Sequence, residues 1–369
     1  MNILVTGAKG FVGRNLVADL KANDLGNIFE YDKESKIEDL RKWVAEADFI
    51  YHLAGVNRPK DEAEFMEGNF GFTSDLLDIM REMGSKAPVL ITSSIQAALD
   101  NPYGKSKKAG EDLMFAFAEE NKSPVYVYRF ANLFGKWSRP NYNTVVATFC
   151  HKISRNEEIQ INNPKAPIEL CYIDDVVAEL KLALQGKPHT KDLFCYVPVT
   201  HPTTVGKIAD ILYSFKESRQ NLMIPDMSDP LTYKLYSTYL SFLPEDEFSY
   251  KLTMHQDQRG YFTEAFKSNE RGQVSINLAK PGITKGQHWH HSKNEKFLVV
   301  QGQGVIRFRK IGEVEIIEYP VSGGVLEVVD IPTGYTHSIV NTGDTDMITV
   351  MWANEVFNPD KPDTYYEEV

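Results

Sequence analysis

The stretch GQHWHHSKNEKFLVVQG, residues 286–302, places several metal-binding side chains within a few positions of one another. His288 and His290 alternate along a predicted strand, so their side chains share a face, and Glu295 follows after a short turn. A later stretch, IPTGYTHSIVN, adds His337 near the start of another strand. Imidazole nitrogens and a carboxylate that converge in this way bind divalent ions such as zinc, iron, manganese or nickel. We therefore predict a metal site formed by these four residues.

A tyrosine and a lysine four positions apart, Tyr103 and Lys107 in the stretch YGKSK, predict acid–base chemistry. One helical turn separates such a pair, so the ammonium group is expected beside the phenol. A nearby cation lowers the pKa of a phenol from about 10 toward neutral pH, and Tyr103 could then exchange a proton with a carbonyl or an alcohol. The preceding stretch ITSSIQA adds two hydroxyl groups, and either Ser93 or Ser94 could hydrogen-bond the same substrate oxygen.

A glycine-rich stretch near residue 10 predicts a nucleotide site. The stretch VTGAKGFVGRNL contains Gly7, Gly10 and Gly13. It follows a predicted strand and opens a predicted helix, where a tight turn lets backbone N–H groups face a pyrophosphate. Asp32 ends the second predicted strand, about where an acid binds the adenosine ribose. Asp32 favours NAD, whereas Lys33 and Arg14 could bind the 2′-phosphate of NADP, so both cofactors stay open.

Secondary structure must position these residues, and the sequence up to about residue 180 predicts an alternating α/β fold. Short β-branched runs alternate with helical patterns, in the order NILVTG, a helix through VGRNLVADLKA, NIFEYD, a helix near 36–46, DFIYHLAG, a helix near 70–83, PVLITSS and VYVYRF. Strict alternation of strand and helix is typical of a Rossmann-like, doubly wound parallel sheet. A further helical pattern covers residues 203–222.

From about residue 250 the pattern changes to that of an all-β domain. Short alternating strands such as QVSINLA, KFLVVQG, GVIRFRK and MITVMW are separated by Gly, Pro, Asp and Asn turns, without a long helical pattern between them. This predicts an antiparallel barrel or sandwich. We place the boundary near 244–250, so that residues 1–245 form the nucleotide-binding domain and residues 246–369 the β domain.

Length and composition narrow the class of protein. The 369 residues exceed what one hydrophobic core usually supports, which favours two domains. The net charge of −11, without a compensating basic block, argues against a nucleic-acid partner, and no long apolar run predicts a membrane span. Cys150, Cys171 and Cys195 are too few and too scattered for a disulfide framework. Because no signal peptide is recognisable, we expect a cytoplasmic enzyme.

Over most of residues 1–240 the sequence resembles the extended short-chain dehydrogenase/reductase family. The resemblance is carried by TGAKGFVG, HLAG, GNFGFTSDLL, TSS, YGKSK, VYRFANLFG and YIDDVV. It implies NAD(P)-dependent hydride chemistry on a nucleotide-linked sugar, with Ser94, Tyr103 and Lys107 as the catalytic residues and Asn132 at the substrate. The implied cofactor site comprises Gly7, Gly10, Phe11, Val12, Gly13, Asp32, Lys33, Leu53, Ala54, Gly55, Asn69, Tyr103 and Lys107. Ser93 stays an alternative to Ser94.

The remainder of the chain resembles the cupin family. The motif residues are Gly282, His288, His290, Glu295 and Gly302, followed by Pro332, Gly334, His337 and Asn341. The resemblance implies a jelly-roll barrel that holds one divalent metal ion, with zinc as the expected ion. Regular strand alternation predicts that His291 points to the opposite face. The stretch DQRGYFTE resembles the sugar 3,5-epimerase branch of cupins, with Arg259 as the expected anchor for a diphosphate. The acid–base residue stays open among Tyr335, Tyr261 and Lys296.

As a whole, the chain resembles the bifunctional capsular-polysaccharide enzymes of the CapF type. The resemblance implies that the cupin domain inverts C3 of a UDP-2-acetamido-2,6-dideoxy-4-hexulose. The reductase domain would then use NADPH, or alternatively NADH, to give UDP-2-acetamido-2,6-dideoxy-L-talose. A UDP-sugar is therefore the expected substrate, and we expect a homodimer. Two alternatives stay open: a metal-dependent cupin isomerase or oxygenase with a regulatory nucleotide-binding domain, and a nucleotide-sugar sensor without catalysis.

Overall fold

The computed structural model describes residues 1–59 and 61–369 of the chain. The chain folds into two compact units, one of Met1–Tyr213 with Asp229–Pro244 and the other of Ser214–Ser228 with Glu245–Val369. The predicted division of the chain into domains of residues 1–245 and 246–369 stays a prediction. Within the described residues, no helix combines the length and the apolar character that a membrane span requires.

The first unit alternates strands and helices. The helices of the chain are α1 (Phe11–Ala22), α2 (Ile37–Glu46), α3 (Ala63–Met66), α4 (Phe72–Glu82), α5 (Pro102–Asn121), α6 (Val145–Ser154), α7 (Ile173–Leu184), α8 (Val205–Asn221) and α9 (Pro230–Leu240). The strands of this unit are β1 (Asn2–Thr6), β2 (Asn27–Tyr31), β3 (Phe49–His52), β4 (Val89–Ser94), β5 (Val125–Phe130), β6 (Asn132–Phe134), β7 (Pro167–Tyr172), β8 (Thr190–Lys191), β9 (Phe194–Cys195) and β10 (His201–Thr204).

The first five strands form the parallel sheet that the alternation predicts. Their order is β2-β1-β3-β4-β5, extended by β9 and by the antiparallel edge strand β8. Ile3, Leu4 and Val5 of β1 are fully buried, which is the pattern of a central strand covered on both faces. Because the five strands run parallel, the residues that follow β1, β3 and β4 lie along one edge of the sheet, where such folds bind ligands. A second sheet has the order β10-β7-β6.

Helix α9 is an element that the sequence analysis did not predict. Its start carries a recognisable signal, because Asp229 is the N-cap and Pro230 occupies the first turn. The carboxylate of Asp229 accepts a hydrogen bond from the N–H group of Thr232 (2.8 Å). The predicted helix over 203–222 is confirmed by α8.

Apart from residues 214–228, which include the end of α8, the second unit is built mainly of short strands. They are β11 (His255–Asp257), β12 (Gly260–Ser268), β13 (Gly272–Ala279), β14 (Thr284–Trp289), β15 (Glu295–Gln301), β16 (Gln303–Lys310), β17 (Ile316–Ser322), β18 (Val328–Ile331), β19 (Tyr335–Asn341), β20 (Met347–Ala353) and β21 (Tyr365–Tyr366). They form two antiparallel sheets, of order β11-β12-β13-β20-β15-β18 and β17-β16-β19-β14-β21. Both sheets contribute to one core that includes Phe297, Ile306, Ile339 and Met347. The all-antiparallel β prediction is confirmed, and the jelly-roll cupin assignment stays a prediction.

Candidate functional site

The glycine-rich turn between β1 and α1 brings backbone atoms into close contact. Gly7 has a φ of +68°, and its N–H group donates to the carbonyl oxygen of Tyr31 (2.8 Å). A Cβ atom on Gly13 would lie 2.2 Å from the carbonyl oxygen of Gly7, so only glycine lets α1 approach this closely. Gly10 is the N-cap of α1 and has no side chain to bind the N–H groups of the first turn. Those groups point out of the helix and can bind an anion such as a pyrophosphate.

Asp32 ties the end of β2 to this turn. Its carboxylate accepts hydrogen bonds from the N–H groups of Lys9 (2.7 Å) and Lys33 (2.8 Å). The side chains of Lys33 and Arg14 are exposed, and the Arg14 guanidinium lies 5.0 Å from the centre of the Trp137 ring. Asp32 therefore lies beside the glycine turn, where an acid is expected to meet an adenosine ribose, and the roles of Lys33 and Arg14 at a 2′-phosphate stay predictions.

Buried Asn69 organises the loop after β3. It lies in a π-helical turn, Glu67–Gly71, a distortion that is common at functional sites. Its side chain accepts from the N–H group of Val56 (2.9 Å) and donates to the Val56 carbonyl (2.9 Å) and to the hydroxyl of Ser106 on α5 (3.0 Å). Asn69 therefore connects this loop to α5. The same loop contains the expected cofactor residues Leu53, Ala54 and Gly55.

Ser94, Tyr103 and Lys107 lie next to one another at the end of β4 and the start of α5. The phenol of Tyr103 hydrogen-bonds Ser94 and donates to the side-chain oxygen of Asn57 (2.9 Å). Nζ of Lys107 lies 5.8 Å from the centre of the Tyr103 ring and donates to the carbonyl oxygen of Thr92 (3.2 Å). The structure thus brings together the three residues that the sequence predicts for proton transfer.

The protonation of this trio differs from the sequence-based expectation. Burial raises the pKa of Tyr103, and the hydrogen bond with Ser94 only partly opposes that rise. Burial also lowers the pKa of Lys107 to about 8, while the charge of Glu111 acts in the opposite direction. The expectation that Lys107 lowers the phenol pKa is therefore wrong for the chain alone, because both groups are buried and desolvation dominates.

Ser93 points into a buried ion pair. Its hydroxyl donates to Oε1 of Glu111 (2.7 Å), and the guanidinium of Arg129 binds the same carboxylate at 2.8 and 2.6 Å. The Glu111 side chain is fully buried and follows Lys107 by one turn of α5. This geometry favours Ser94 over Ser93 as the hydroxyl beside Tyr103. Arg129 belongs to the motif VYRFANLFG, but neither it nor Glu111 was predicted to lie beside the catalytic residues, and the one signal for Glu111 was its four-residue spacing from Lys107.

Asn57 is a second contact of Tyr103 that the sequence analysis missed. It lies in the stretch HLAGVN, 46 positions before the tyrosine, and no spacing rule connects the two. The ring of Phe65 on α3 packs against the same phenol, with 5.5 Å between ring centres. The Tyr103 side chain is therefore held from the β3 side as well as from β4.

Asn132, the expected substrate contact of the first unit, lies at the start of β6 with its side chain exposed. Its amide donates to the main-chain carbonyl of Glu169 on β7 (3.1 Å). The geometry places the side chain at the β6–β7 edge, and its role at the substrate stays a prediction.

The second unit contains a cavity of about 700 Å³, which is within the usual range for small-ligand sites. Strands of both sheets line it. Its wall includes Phe262, Glu264, Asn277, Lys285, Phe297 and Ile339. Three of the four predicted metal ligands, His288, His290 and Glu295, also line this cavity.

His288, His290, Glu295 and His337 converge, and one ligand atom from each lies within 4.8 Å of all the others. His288 on β14 lies directly opposite His337 on β19, and Glu295 begins β15. Oε2 of Glu295 lies 3.4 Å from Nε2 of His290 and 3.3 Å from Nε2 of His337. His291 is exposed and does not belong to this cluster.

A β-bulge in β14 sets the direction of His288. The register against β19 shifts between Gly286 and His288, and the extra residue, Gln287, has a φ of +66°. Strand alternation alone would turn Lys285 and His288 to opposite faces, but with the bulge both line the cavity. Strand β14 ends at Trp289, so His290 follows the strand directly, and the rings of His288 and His290 face the same cluster as predicted.

The cluster has the donor chemistry of a divalent metal site. Among the described residues, neither ring nitrogen of buried His337 has a hydrogen-bond partner, since Nε2 lies outside hydrogen-bond geometry from Glu295. Burial and the neighbouring imidazoles His337 and His290 lower the pKa of His288 to about 4, so its ring is neutral at pH 7. Burial alone would raise the pKa of Glu295, but the imidazoles that face it hold that pKa well below its usual range. Imidazole nitrogens and a carboxylate are the donors that fit zinc or a similar ion.

The cavity wall carries further charged groups. Arg259 lines the cavity as an exposed side chain that forms an ion pair with Asp257 (2.7 Å). The Nζ atom of Lys285 donates to the side-chain oxygen of Asn277 (2.7 Å), and Glu264 pairs with Lys267 (2.7 Å). Lys285 was not predicted here, because strand alternation without the bulge turns it away from the face of His288, and Glu264 was recognised only as the end of the stretch DQRGYFTE.

The three acid–base candidates from the sequence lie elsewhere. Tyr335, Tyr261 and Lys296 are not among the residues that line the cavity. Tyr261 alternates with the cavity-lining residues Gly260 and Phe262 on β12, and Lys296 is exposed and paired with Asp330. Their role in proton transfer stays a prediction, which the lining of this cavity does not support.

Both parts of the chain match known protein families. Residues 3–193 match the NAD dependent epimerase/dehydratase family, and residues 255–365 match the polysaccharide biosynthesis C-terminal domain. The chain is 47% identical over 365 residues to UDP-2-acetamido-2,6-beta-L-arabino-hexul-4-ose reductase of Pseudomonas aeruginosa, which covers 99% of this chain and 98% of the relative.

Solved structures agree with this similarity. The crystal structure of the capsular polysaccharide assembling protein CapF from Staphylococcus aureus is 56% identical, with a TM-score of 0.95 over the whole of both chains. UDP-glucuronic acid 4-epimerase from Bacillus cereus, in complex with NAD, is 19% identical with a TM-score of 0.54, over 66% of this chain and 96% of that chain. The second likeness concerns the fold alone.

Proposed function

The chain belongs to the CapF type within the NAD dependent epimerase/dehydratase family, and on that premise we propose that it is a bifunctional nucleotide-sugar enzyme. The proposed substrate is a UDP-2-acetamido-2,6-dideoxy-4-hexulose. The second unit inverts its C3 centre, and the first unit reduces its C4 ketone to give UDP-2-acetamido-2,6-dideoxy-L-talose. The full-length relative, which is named as the reductase of a UDP-linked hexul-4-ose, supports this substrate class and does not favour the oxygenase or sensor alternatives.

The observation that carries the reductase proposal is the contact of Tyr103 with Ser94 beside the buried ammonium of Lys107. NADPH supplies the hydride for C4. Tyr103 donates its proton to the C4 oxygen, which Ser94 also hydrogen-bonds. Because its pKa is raised, the phenol of Tyr103 is protonated at neutral pH and has a proton to donate. Lys107 holds the nicotinamide ribose, and the turn around Gly7 and Gly13 receives the pyrophosphate.

The epimerase proposal rests on the cavity of the second unit. A ketone at C4 acidifies the proton at C3, so a base can remove that proton to leave an enolate, and an acid can return a proton on the other face. Glu264 and Lys285 line the cavity and are the side chains that we propose for this exchange. Arg259, exposed at the same cavity, is the proposed anchor for the diphosphate.

We propose that His288, His290, Glu295 and His337 hold one divalent ion, with zinc as the first choice. The orphaned ring nitrogens of His337 and the neutral ring of His288 support this proposal. When bound, such an ion polarises a ketone or stabilises its enolate oxygen. The four side chains also link β14, β15 and β19, so the ion would hold these strands together.

The test separates the two reactions on one substrate. In Tyr103→Phe we expect NADPH oxidation to fall by roughly 10²- to 10⁴-fold, since a general acid is lost while the ring is kept. Solvent deuterium incorporation at C3, followed by NMR, should keep its wild-type rate. Tyr213→Phe, at an exposed tyrosine of α8, is the matched control. Loss of both activities in Tyr103→Phe alone would mean that the two sites are not separable.

Removal of metal with a chelator tests the second site. We expect deuterium incorporation at C3 to fall and to return when Zn²⁺ is added back. Deuterium exchange at the full rate in metal-free protein would remove the ion from the mechanism and leave it a structural role.

A further inference from the structure

We propose that Asp363 is a positioning residue for the cluster of His288, His290, Glu295 and His337. This inference rests on the proposed metal site. Asp363 belongs to the segment of residues 362–369, which we call the strap. It contacts the cluster region in two ways, through its main-chain carbonyl and through its carboxylate.

The main-chain carbonyl of Asp363 fixes the ring of His290. His290 is buried, and its Nδ1 atom lies 2.6 Å from that carbonyl oxygen. A carbonyl oxygen can only accept a hydrogen bond, so Nδ1 carries a proton, and in the neutral ring Nε2 is then the nitrogen that can bind a metal ion. Nε2 lies 3.4 Å from Oε2 of Glu295, where the other ligand atoms converge. The contact therefore selects the tautomer and the ring direction that can bind a metal ion.

The carboxylate of Asp363 holds the turn that joins two of the ligands. Its oxygens accept the N–H groups of three successive residues, His291 (3.0 Å), Ser292 (2.8 Å) and Lys293 (2.8 Å). The hydroxyl of Ser292 donates to it as well (3.0 Å). This turn connects His290 to Glu295, so the carboxylate sets the spacing between them. Without it, three N–H groups of the turn lose their acceptor.

The rest of the strap keeps Asp363 in place. Asp363 has a φ of +41°, in the left-handed region that aspartate and asparagine tolerate better than most residues. Tyr365 and Tyr366 form β21 and pair with β14, and the N–H group of Glu367 donates to the carbonyl oxygen of Gln287 (3.1 Å). The strap thus runs along the strand that carries His288.

Metal affinity distinguishes a positioning role from a purely structural one. A purely structural residue lowers the melting temperature of the protein but leaves the ion affinity of the folded form unchanged. A residue that positions ligands changes that affinity, and removal of such an outer partner typically weakens metal binding by about 10- to 100-fold. The visible spectrum of bound Co²⁺ reports the ligand geometry in the same experiment.

The experiment uses the full-length, metal-free protein. Co²⁺ is titrated and followed by visible absorption, Zn²⁺ is titrated in competition with a chromogenic chelator, and circular dichroism verifies the fold. We expect wild type and Asp344→Ala, a control at an exposed aspartate of the β19–β20 loop, to bind one ion with equal affinity. Asp363→Ala should bind about 10- to 100-fold more weakly and with an altered Co²⁺ spectrum. Asp363→Asn keeps one side-chain acceptor and should fall between the two.

A folded Asp363→Ala protein with wild-type affinity for both ions overturns the inference and leaves the proposed metal site intact. If the alanine variant does not fold, the asparagine variant decides, and wild-type affinity there overturns the inference equally. A wild-type protein that binds neither ion refutes the metal site, and the role of Asp363 with it.

Discussion

Glu111 and Arg129 act on the pKa of Lys107 in opposite directions, so substitutions at these two residues test whether the charge of Lys107 matters for reduction. Lys107 is buried with a pKa of about 8, and Glu111 raises that pKa from one helical turn away. Because the pKa of Tyr103 is raised, Lys107 loses its proton first as the pH increases. If reduction requires the ammonium form, kcat/KM for NADPH oxidation falls as the pH passes about 8.

The substitution Glu111→Gln removes the negative charge and keeps a hydrogen-bond acceptor. Two charges roughly 6 Å apart at an effective dielectric constant of about 20 interact by about 3 kcal/mol, which corresponds to about two pH units. The Arg129 guanidinium keeps its charge in this variant, so its effect on the pKa of Lys107 is the same before and after the substitution. We therefore expect the alkaline limb to move down by about two pH units in Glu111→Gln.

The opposite change gives the matched control. Arg129→Met removes the cation that offsets Glu111, so the alkaline limb should move to higher pH. Both variants lose the same ion pair. Damage to the fold alone would therefore not shift the alkaline limb in opposite directions in the two variants. The assay is kcat/KM for NADPH oxidation between pH 6 and 10 with a UDP-4-keto-sugar, on protein whose fold is verified by circular dichroism. Shifts of the same sign, or an unmoved limb in folded Glu111→Gln, would refute the electrostatic argument.

Three further outcomes follow from the geometry of the two units. Gly13→Ala places a Cβ atom 2.2 Å from the carbonyl oxygen of Gly7. The resulting overpacking costs about 1–3 kcal/mol and should raise KM for NADPH by roughly 10- to 100-fold. Deuterium exchange at C3 should continue at its normal rate. Asn57→Ala removes the hydrogen-bond partner of the Tyr103 phenol and should lower kcat for NADPH oxidation more than it changes KM, as steady-state kinetics will measure. His337→Ala removes a buried imidazole of the cluster, so zinc content measured by elemental analysis should fall below one ion per chain while NADPH oxidation with a pre-epimerised substrate persists.

Local spacing explains which parts of the site the sequence could predict. The glycine turn and the Tyr103–Lys107 pair lie within one turn or one helix, where spacing alone determines which side chains meet. The cluster around His288 was also predictable, because three of its ligands stand in the short stretch of residues 288–295 and the fourth, His337, stands in a second motif-like stretch. The parallel order of the first five strands followed from strict strand and helix alternation.

The residues that support these sites could not be predicted, because they depend on long-range contacts. Asn57 meets Tyr103 across 46 positions, and Asp363 meets His290 across 73. The effect of burial on Tyr103 was equally hidden, since desolvation depends on how the loop after β3 packs over the phenol. Sequence spacing reveals the groups that carry the chemistry, whereas the folded chain determines their protonation.

Because Gln287 is an extra residue in β14, the number of residues in this strand determines which side chains face the cavity. Because the bulge realigns the strand, Lys285 and His288 point into the same cavity although three positions separate them. Deletion of Gln287 would restore regular alternation and turn the imidazole of His288 or the ammonium of Lys285 out of the cavity. We therefore expect the β14 bulge to tolerate substitutions more readily than an insertion or a deletion. The sequence of the strand can change as long as its number of residues does not.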